Sequence, residues 1–84
     1  MKTSVEISYY PLHEEYVPPI REFIDNMNQY EGLVVKTSGM STQIFGDYDV
    51  LMEALAKEIK QSFKHPHSVF VMKVVNADLN TSGN

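Results

Sequence analysis

The sequence has no cysteine and no tryptophan, and its seven lysines and arginines are outnumbered by eleven aspartates and glutamates. Without cysteine there are no disulfides, no thiolate metal sites and no cysteine nucleophile, and a reducing compartment is the natural setting. A chain of 84 residues suffices for one domain, buries only a modest share of its surface and is thinly stabilised. With disulfides excluded, self-association is the expected reinforcement. The shortage of basic residues leaves a formal charge of −4. That charge argues against a nucleic-acid partner, which needs a basic surface to displace counterions, and it favours neutral or cationic ligands. Long apolar runs are missing too: none approaches the roughly 20 residues needed to span a bilayer. The N-terminus carries a lone Lys2 followed by strand-like sequence containing Glu6, without the apolar heart of a signal peptide. A cytoplasmic protein with neither nucleic-acid nor membrane partners is expected.

What is present is strongly patterned. Residues 3–10 alternate, with Val5, Ile7 and Tyr9 on one face and Glu6, Ser8 and Tyr10 on the other, as in a strand with one buried side. Pro11 is expected to stop it. Pro18 and Pro19 suit the first turn of a helix. Val17, Ile20, Phe23, Ile24, Met27 and Tyr30 then recur at helical spacing, and Gly32 is placed to end the run. Residues 33–37 and 40–45 read as two short strands joined across Ser38-Gly39, close enough to form a hairpin. Gly46-Asp47 closes the hairpin, and Asp47 is positioned to cap a second helix. Leu51, Ala54, Leu55, Glu58, Ile59, Ser62 and Phe63 trace one side of that helix, and Lys57, Lys60 and Lys64 suit its C-terminal end. Pro66 prevents continuation. Residues 69–75 form a last strand so apolar that burial on both faces, or an interface, is expected. Residues 1–77 make one domain, and 78–84 are polar enough to fray as a C-terminal tail.

Strand, helix, hairpin, helix, strand is the split β-α-β arrangement of the α+β class. Right-handed crossovers put both helices on one face of a four-stranded antiparallel sheet of order 4-1-3-2, a ferredoxin-like fold. Val5, Ile7, Tyr9, Leu33, Val35, Ile44, Phe70, Met72 and Val74 should face the helices. The other face has no cover from its own chain. It should carry Glu6, Ser8 and Tyr10, then Lys36 and Ser38, then Ser41, Gln43 and Phe45, with Val71, Lys73 and Val75 from the last strand. A bulge near Gly39 would instead bring Met40 and Thr42 to that side.

Two segments carry a family resemblance. Val5-Glu6-Ile7-Ser8-Tyr9-Tyr10-Pro11-Leu12 resembles the opening strand of the YkoF-like thiamine-binding family. Gly39-Met40-Ser41-Thr42-Gln43-Ile44-Phe45-Gly46-Asp47 resembles its central hairpin, and Arg21-Glu22-Phe23-Ile24 falls where its first helix lies. The resemblance spans residues 4–77. It implies a ferredoxin-like domain that works in pairs, as a homodimer or homotetramer, and a ligand related to thiamine or its hydroxymethylpyrimidine part. This chain is similar to the single-domain members, for which the fold transfers more directly than the ligand.

Thiamine presents a cationic thiazolium, a flat aminopyrimidine and a hydroxyl. A site for it needs a carboxylate or carbonyl near the cation, an aromatic or thioether surface, and hydroxyl or amide groups to fix orientation. Glu6, Ser8, Tyr10, Ser38, Met40, Ser41, Thr42, Gln43 and Phe45 offer these groups on adjacent strands, with the ligand expected near the sheet face at a subunit junction. Each has a simpler reading. Glu6 can pair across strands with Lys73. Ser41 and Thr42 can satisfy the hairpin backbone. Tyr10 and Phe45 can be interface or core aromatics, and Met40 can fill a gap. His65-Pro66-His67 is too sparse for a metal site, and His13 with Glu14 and Glu15 reads as a solvated loop. No catalytic triad, phosphate loop or dinucleotide fingerprint is present. A binding module without a cofactor is expected, and not an enzyme. The alternatives are a ligand-free homo-oligomeric module, or a small dimeric enzyme pairing Glu6 with a histidine.

Overall fold

The computed structural model describes residues 1–12, 14–65 and 67–80. The chain runs β1 (Lys2–Pro11), α1 (Val17–Met27), β2 (Val34–Thr37), β3 (Thr42–Asp47), α2 (Tyr48–Ser62) and β4 (Ser68–Val75). The strands form one antiparallel sheet of order β2-β3-β1-β4, the expected order read from its other edge. His13, Pro66 and Thr81–Asn84 lie outside the described residues, and with them the middle of the His65–His67 turn and the end of the expected tail.

The alternation of β1 becomes burial. Val5 and Ile7 join Ile44, Phe23, Met27, Leu51, Ala54 and Leu55 in a core between sheet and helices. Tyr9, Phe23 and Phe70 close its end. The Tyr9 and Phe70 rings stack with centroids 4.2 Å apart, and Phe23 lies 5.2 Å from Phe70, within the range where aromatic pairs attract beyond their area.

Two backbone bonds at the strand ends set which way each amide of β1 points. Tyr48 N–H donates to Met1 O at 2.8 Å, and Leu12 N–H donates to His67 O at 3.0 Å. Both pairs continue the registers of β1 with β3 and with β4. In an antiparallel ladder the bonded pairs recur every second residue. Odd residues of β1 therefore bond β3, and even ones bond β4. This explains why Pro11, expected to stop the strand, ends it from within, as its last residue paired with Ser68. Its missing N–H would point toward β3, which has already ended at Thr42, so no ladder bond is lost.

The largest boundary differences from the sequence reading are in α1 and β3. Helix α1 stops at Met27, short of Tyr30, where Asn28 Nδ2 donates to the Ile24 carbonyl at 2.9 Å. Tyr30 sits in the following turn and its hydroxyl donates to Glu58 Oε2 at 2.6 Å, which accounts for a buried carboxylate on α2. Strand β3 runs from Thr42 to Asp47, two residues later than expected at each end. Gly46 is thus inside the strand, where an added Cβ would lie 2.9 Å from Gly32 O and 2.5 Å from a Leu33 methyl. Asp47 occupies the N-cap position of α2 but makes no capping bond. Its Oδ1 accepts from the Met1 amino group at 3.0 Å, and that hydrogen bond holds its pKa below the usual carboxylate range.

Strand β4 departs most from expectation. Beyond Phe70 it is buried on neither face, because the helices lie over β1, β2 and β3. The chain after it turns back onto the open face. Ser4 Oγ donates to Ala77 O at 2.7 Å and accepts from Leu79 N–H at 2.8 Å, which buries Ser4. No helix among the described residues is long and apolar enough to cross a membrane.

Gly46→Ala is expected to cost about 1–3 kcal/mol, the usual range for forcing a methyl into filled space, read as a lower urea midpoint with an unchanged slope. The bond to Glu58 pushes the Tyr30 pKa up from 10.0 to about 12. The folded value lies above the unfolded one, so the stabilisation is fully present below pH ~10 and is lost as pH rises toward ~12. Absorbance titration should show one tyrosine ionising near 12, and Tyr30→Phe should remove that step.

Candidate functional site

The hairpin tip between β2 and β3 is built by one serine. Ser38 N–H donates to Ser41 O at 2.9 Å, and Ser38 Oγ accepts from the N–H groups of Met40 and Ser41 at 3.2 and 3.3 Å. A short polar side chain bonding its own turn is a common loop device. It leaves Met40 projecting, 88 % exposed, at the tip. No bulge swaps the faces: Thr42 pairs with Ile7 and is buried on the helix side, with its Oγ1 3.4 Å from Thr37 Oγ1.

This tip, the end of β1 and the start of α1 enclose a cleft of about 400 Å³, within the size range of small-molecule sites. Its buried lining is Ile7, Thr42 and Phe23, with half-buried Tyr9 beside them, and Thr37 lies nearer the surface. Its mouth is ringed by exposed Tyr10, Leu12, Tyr16 and Met40. Helix α1 contributes a wall through Ile20, Phe23 and Ile24. The two prolines at its start leave few free N–H groups there to receive an anion.

Among the described residues no charged side chain lines the cleft. Three tyrosines and a thioether offer flat, polarisable surface, and serine and threonine hydroxyls offer donors and acceptors. One carboxylate, Glu6 on the open face, is bonded to a lining residue. It is held between Ser41 Oγ, which donates to Oε2 at 3.1 Å, and Lys73 Nζ, 3.4 Å from Oε1. The cross-strand pair expected from the sequence is thus present.

The nine residues singled out from the sequence divide between two places. Ser8, Tyr10, Ser38, Met40, Ser41 and Thr42 line the cleft. Glu6, Gln43 and Phe45 line a separate depression of about 250 Å³ on the open face, shared with Ser4, Lys73 and Leu79. Sequence reasoning missed the contribution of the α1 side, Tyr16, Ile20 and Ile24. The helical period assigns Ile20 and Ile24 to the core, and Tyr16 precedes the first periodic residue. The one usable signal was the Pro18-Pro19 pair, which brings a helix start beside the end of the first strand.

Ser38→Ala should leave two tip N–H groups without their acceptor and cost about 1 kcal/mol. Faster amide exchange at Met40 and Ser41, with unchanged exchange in the core, would check it.

Comparison with known proteins follows this geometry closely. Crystal structures of three proteins share the fold. Protein SP2199 from Streptococcus pneumoniae superposes with a TM-score of 0.85 at 18 % identity, over 98 % of this chain and 93 % of that one. A proposed thiamine biosynthesis/salvage protein from Thermotoga maritima gives 0.82 at 15 % identity, over 92 % and 85 % of the two chains. The hypothetical protein MJ1052 from Methanocaldococcus jannaschii gives 0.78 at 22 % identity, over 92 % and 81 %. At these identities the likeness is one of fold. No curated protein matches the chain. The model of the YKOF-related family matches residues 2–79, almost the whole described chain, and the chain belongs to that family.

Proposed function

We propose that this chain is a cytoplasmic small-molecule-binding module, not an enzyme, whose ligand is a thiamine-related compound and whose working form is a homo-oligomer. The observation that carries the reading is the tyrosine-rimmed cleft between the hairpin tip and α1, whose described lining holds no charged side chain. Family membership and the description of the Thermotoga maritima protein support the choice of ligand class. The lining sharpens it. A flat, neutral aminopyrimidine can stack on Tyr10 or Tyr16 and bond to the Thr37, Thr42 and Ser41 hydroxyls. A thiazolium cation can lie on the tyrosine faces and the Met40 sulfur at the mouth. Among the described residues a diphosphate finds no cation in the lining and few free helix amides, and burying it would go largely uncompensated. Hydroxymethylpyrimidine and thiamine therefore suit the cleft better than thiamine diphosphate. Ser8, Tyr10 and Ser41 reach the cleft from the open-face side of the sheet, so a second copy laid on that face would narrow the mouth and place the ligand beside a subunit junction.

Titration calorimetry with the three compounds tests this. Roughly micromolar binding of hydroxymethylpyrimidine and thiamine is expected, and at least about tenfold weaker binding of the diphosphate, the effect of one missing charge-assisted bond. Thr42→Val, which keeps the shape and removes the hydroxyl, should weaken binding about tenfold with little change in thermal stability. Absence of heat and of thermal shift for all three compounds at about millimolar ligand would remove the proposal.

A further inference from the structure

The two edges of the sheet are unlike. Strand β2 has only four residues, one of them Lys36, and short charged edges resist pairing with other chains. Strand β4 has eight residues, and among the described residues no strand pairs with its outer edge. The alternation set by the Leu12–His67 bond turns residues 69, 71, 73 and 75 toward β1. It leaves the N–H and C=O groups of Ser68, Phe70, Met72 and Val74 pointing outward along the free side.

Side chains do not protect this edge. Lys73 is the strand's one charge, the residue type that usually guards an exposed strand. Here Glu6, on the inner neighbour, draws it back across the sheet with Oε1 3.4 Å from Nζ. On the open face Val71 is 57 % exposed. On the helix face Met72 and Val74 are 41 % and 45 % exposed, and Phe63, whose ring lies 5.8 Å from that of Phe70, is 57 % exposed.

We propose that β4 pairs antiparallel with β4 of a second copy about a two-fold axis at Val71, joining two four-stranded sheets into one. The register follows from the backbone. Outward groups must meet outward groups, so Phe70 pairs with Met72 of the copy and Ser68 with Val74. Every free N–H and C=O of residues 68–74 then has a partner. A centre at Met72 would leave Ser68 without one of these and would bring the two lysines nearer each other. With the axis at Val71, Lys73 faces Val69 of the copy, and the lysines stand about 14 Å apart along the strands at ~3.4 Å per residue. A two-fold axis normal to the sheet keeps both helix layers on one side. Phe63, Met72 and Val74 of the two copies then fill one trough between them. A second copy suits this edge because the occupant must be a long strand of the same alternation whose charge is held off the edge, and β4, with Lys73 drawn to Glu6, meets that requirement.

This deepens the homo-oligomeric part of the proposed function and is independent of the ligand. Amide exchange on the native protein, alongside its solution mass, is the test. At least twice the chain mass is expected, with the Phe70, Met72 and Val74 amides protected and their protection falling on dilution. Met72→Pro removes only an outward N–H, so the fold should persist by circular dichroism while the mass falls by half. Val74→Pro, nearer the strand end, serves if Met72→Pro does not fold. An assembled protein whose three edge amides exchange freely, or whose mass survives either foldable proline variant, overturns the edge pairing and leaves self-association through the open face standing. A monomer at all concentrations overturns both.

Discussion

Strand β1 bonds on both sides, and the rest of the architecture hangs on that double ladder. Its odd residues bond β3 and its even residues bond β4, so every backbone polar group along its middle is satisfied inside the sheet. The same alternation sends Val5 and Ile7 to the helices and Glu6 and Ser8 to the open face. A slip of one residue would exchange these sets and bury a carboxylate against Phe23 and Leu51. Because β1 holds one register against both neighbours, the end of the strand, the hairpin tip and the start of α1 meet at one corner, which is where the cleft forms.

The helices do not shield the sheet evenly. They lie over β1, β2 and β3 and leave β4 uncovered beyond Phe70. In a chain of 84 residues two short helices cannot roof four strands, and the shortfall falls on the strand that is added last and bonded on one side only. The Tyr9–Phe70–Phe23 cluster ties the first part of β4 to the core, while the segment at 77–79, held by Ser4, ties down its far end. Between these anchors the strand exposes apolar side chains on two faces and a row of backbone groups along its edge.

Electrostatics separates the two depressions. Glu6 and Lys73 neutralise each other on the open face, and Lys36 lies over the Phe45 ring with 5.9 Å from Nζ to the centroid. The cleft beneath the hairpin tip has only hydroxyls, aromatic faces, a thioether and aliphatic groups among its described lining. A lining of that kind offers shape, hydrogen bonds and aromatic faces, and an anionic group would be desolvated there without a counter-charge among the described residues.

Local pattern by itself determined a good deal: the period-two alternation of residues 3–10, the helical spacing of Val17, Ile20, Phe23, Ile24 and Met27, the order of elements and hence the topology, and the Glu6–Lys73 pair. Each follows from side-chain periodicity, which is a property of neighbours in the chain. Residues 39–47 were legible as a hairpin arm, but only the folded molecule decided that the strand starts two residues later, because Ser38 spends its hydroxyl on the tip and Gly46 alone fits beside Gly32 and Leu33. Tertiary structure alone also divided the nine candidate site residues between two depressions and added Tyr16, Ile20 and Ile24 to the cleft. It also decided between the two expectations for the apolar edge strand β4, burial on both faces or an interface, by leaving both faces exposed beyond Phe70. Which face of a strand is covered depends on where a helix far along the chain comes to rest, and that is settled by three-dimensional packing and not by any run of adjacent residues.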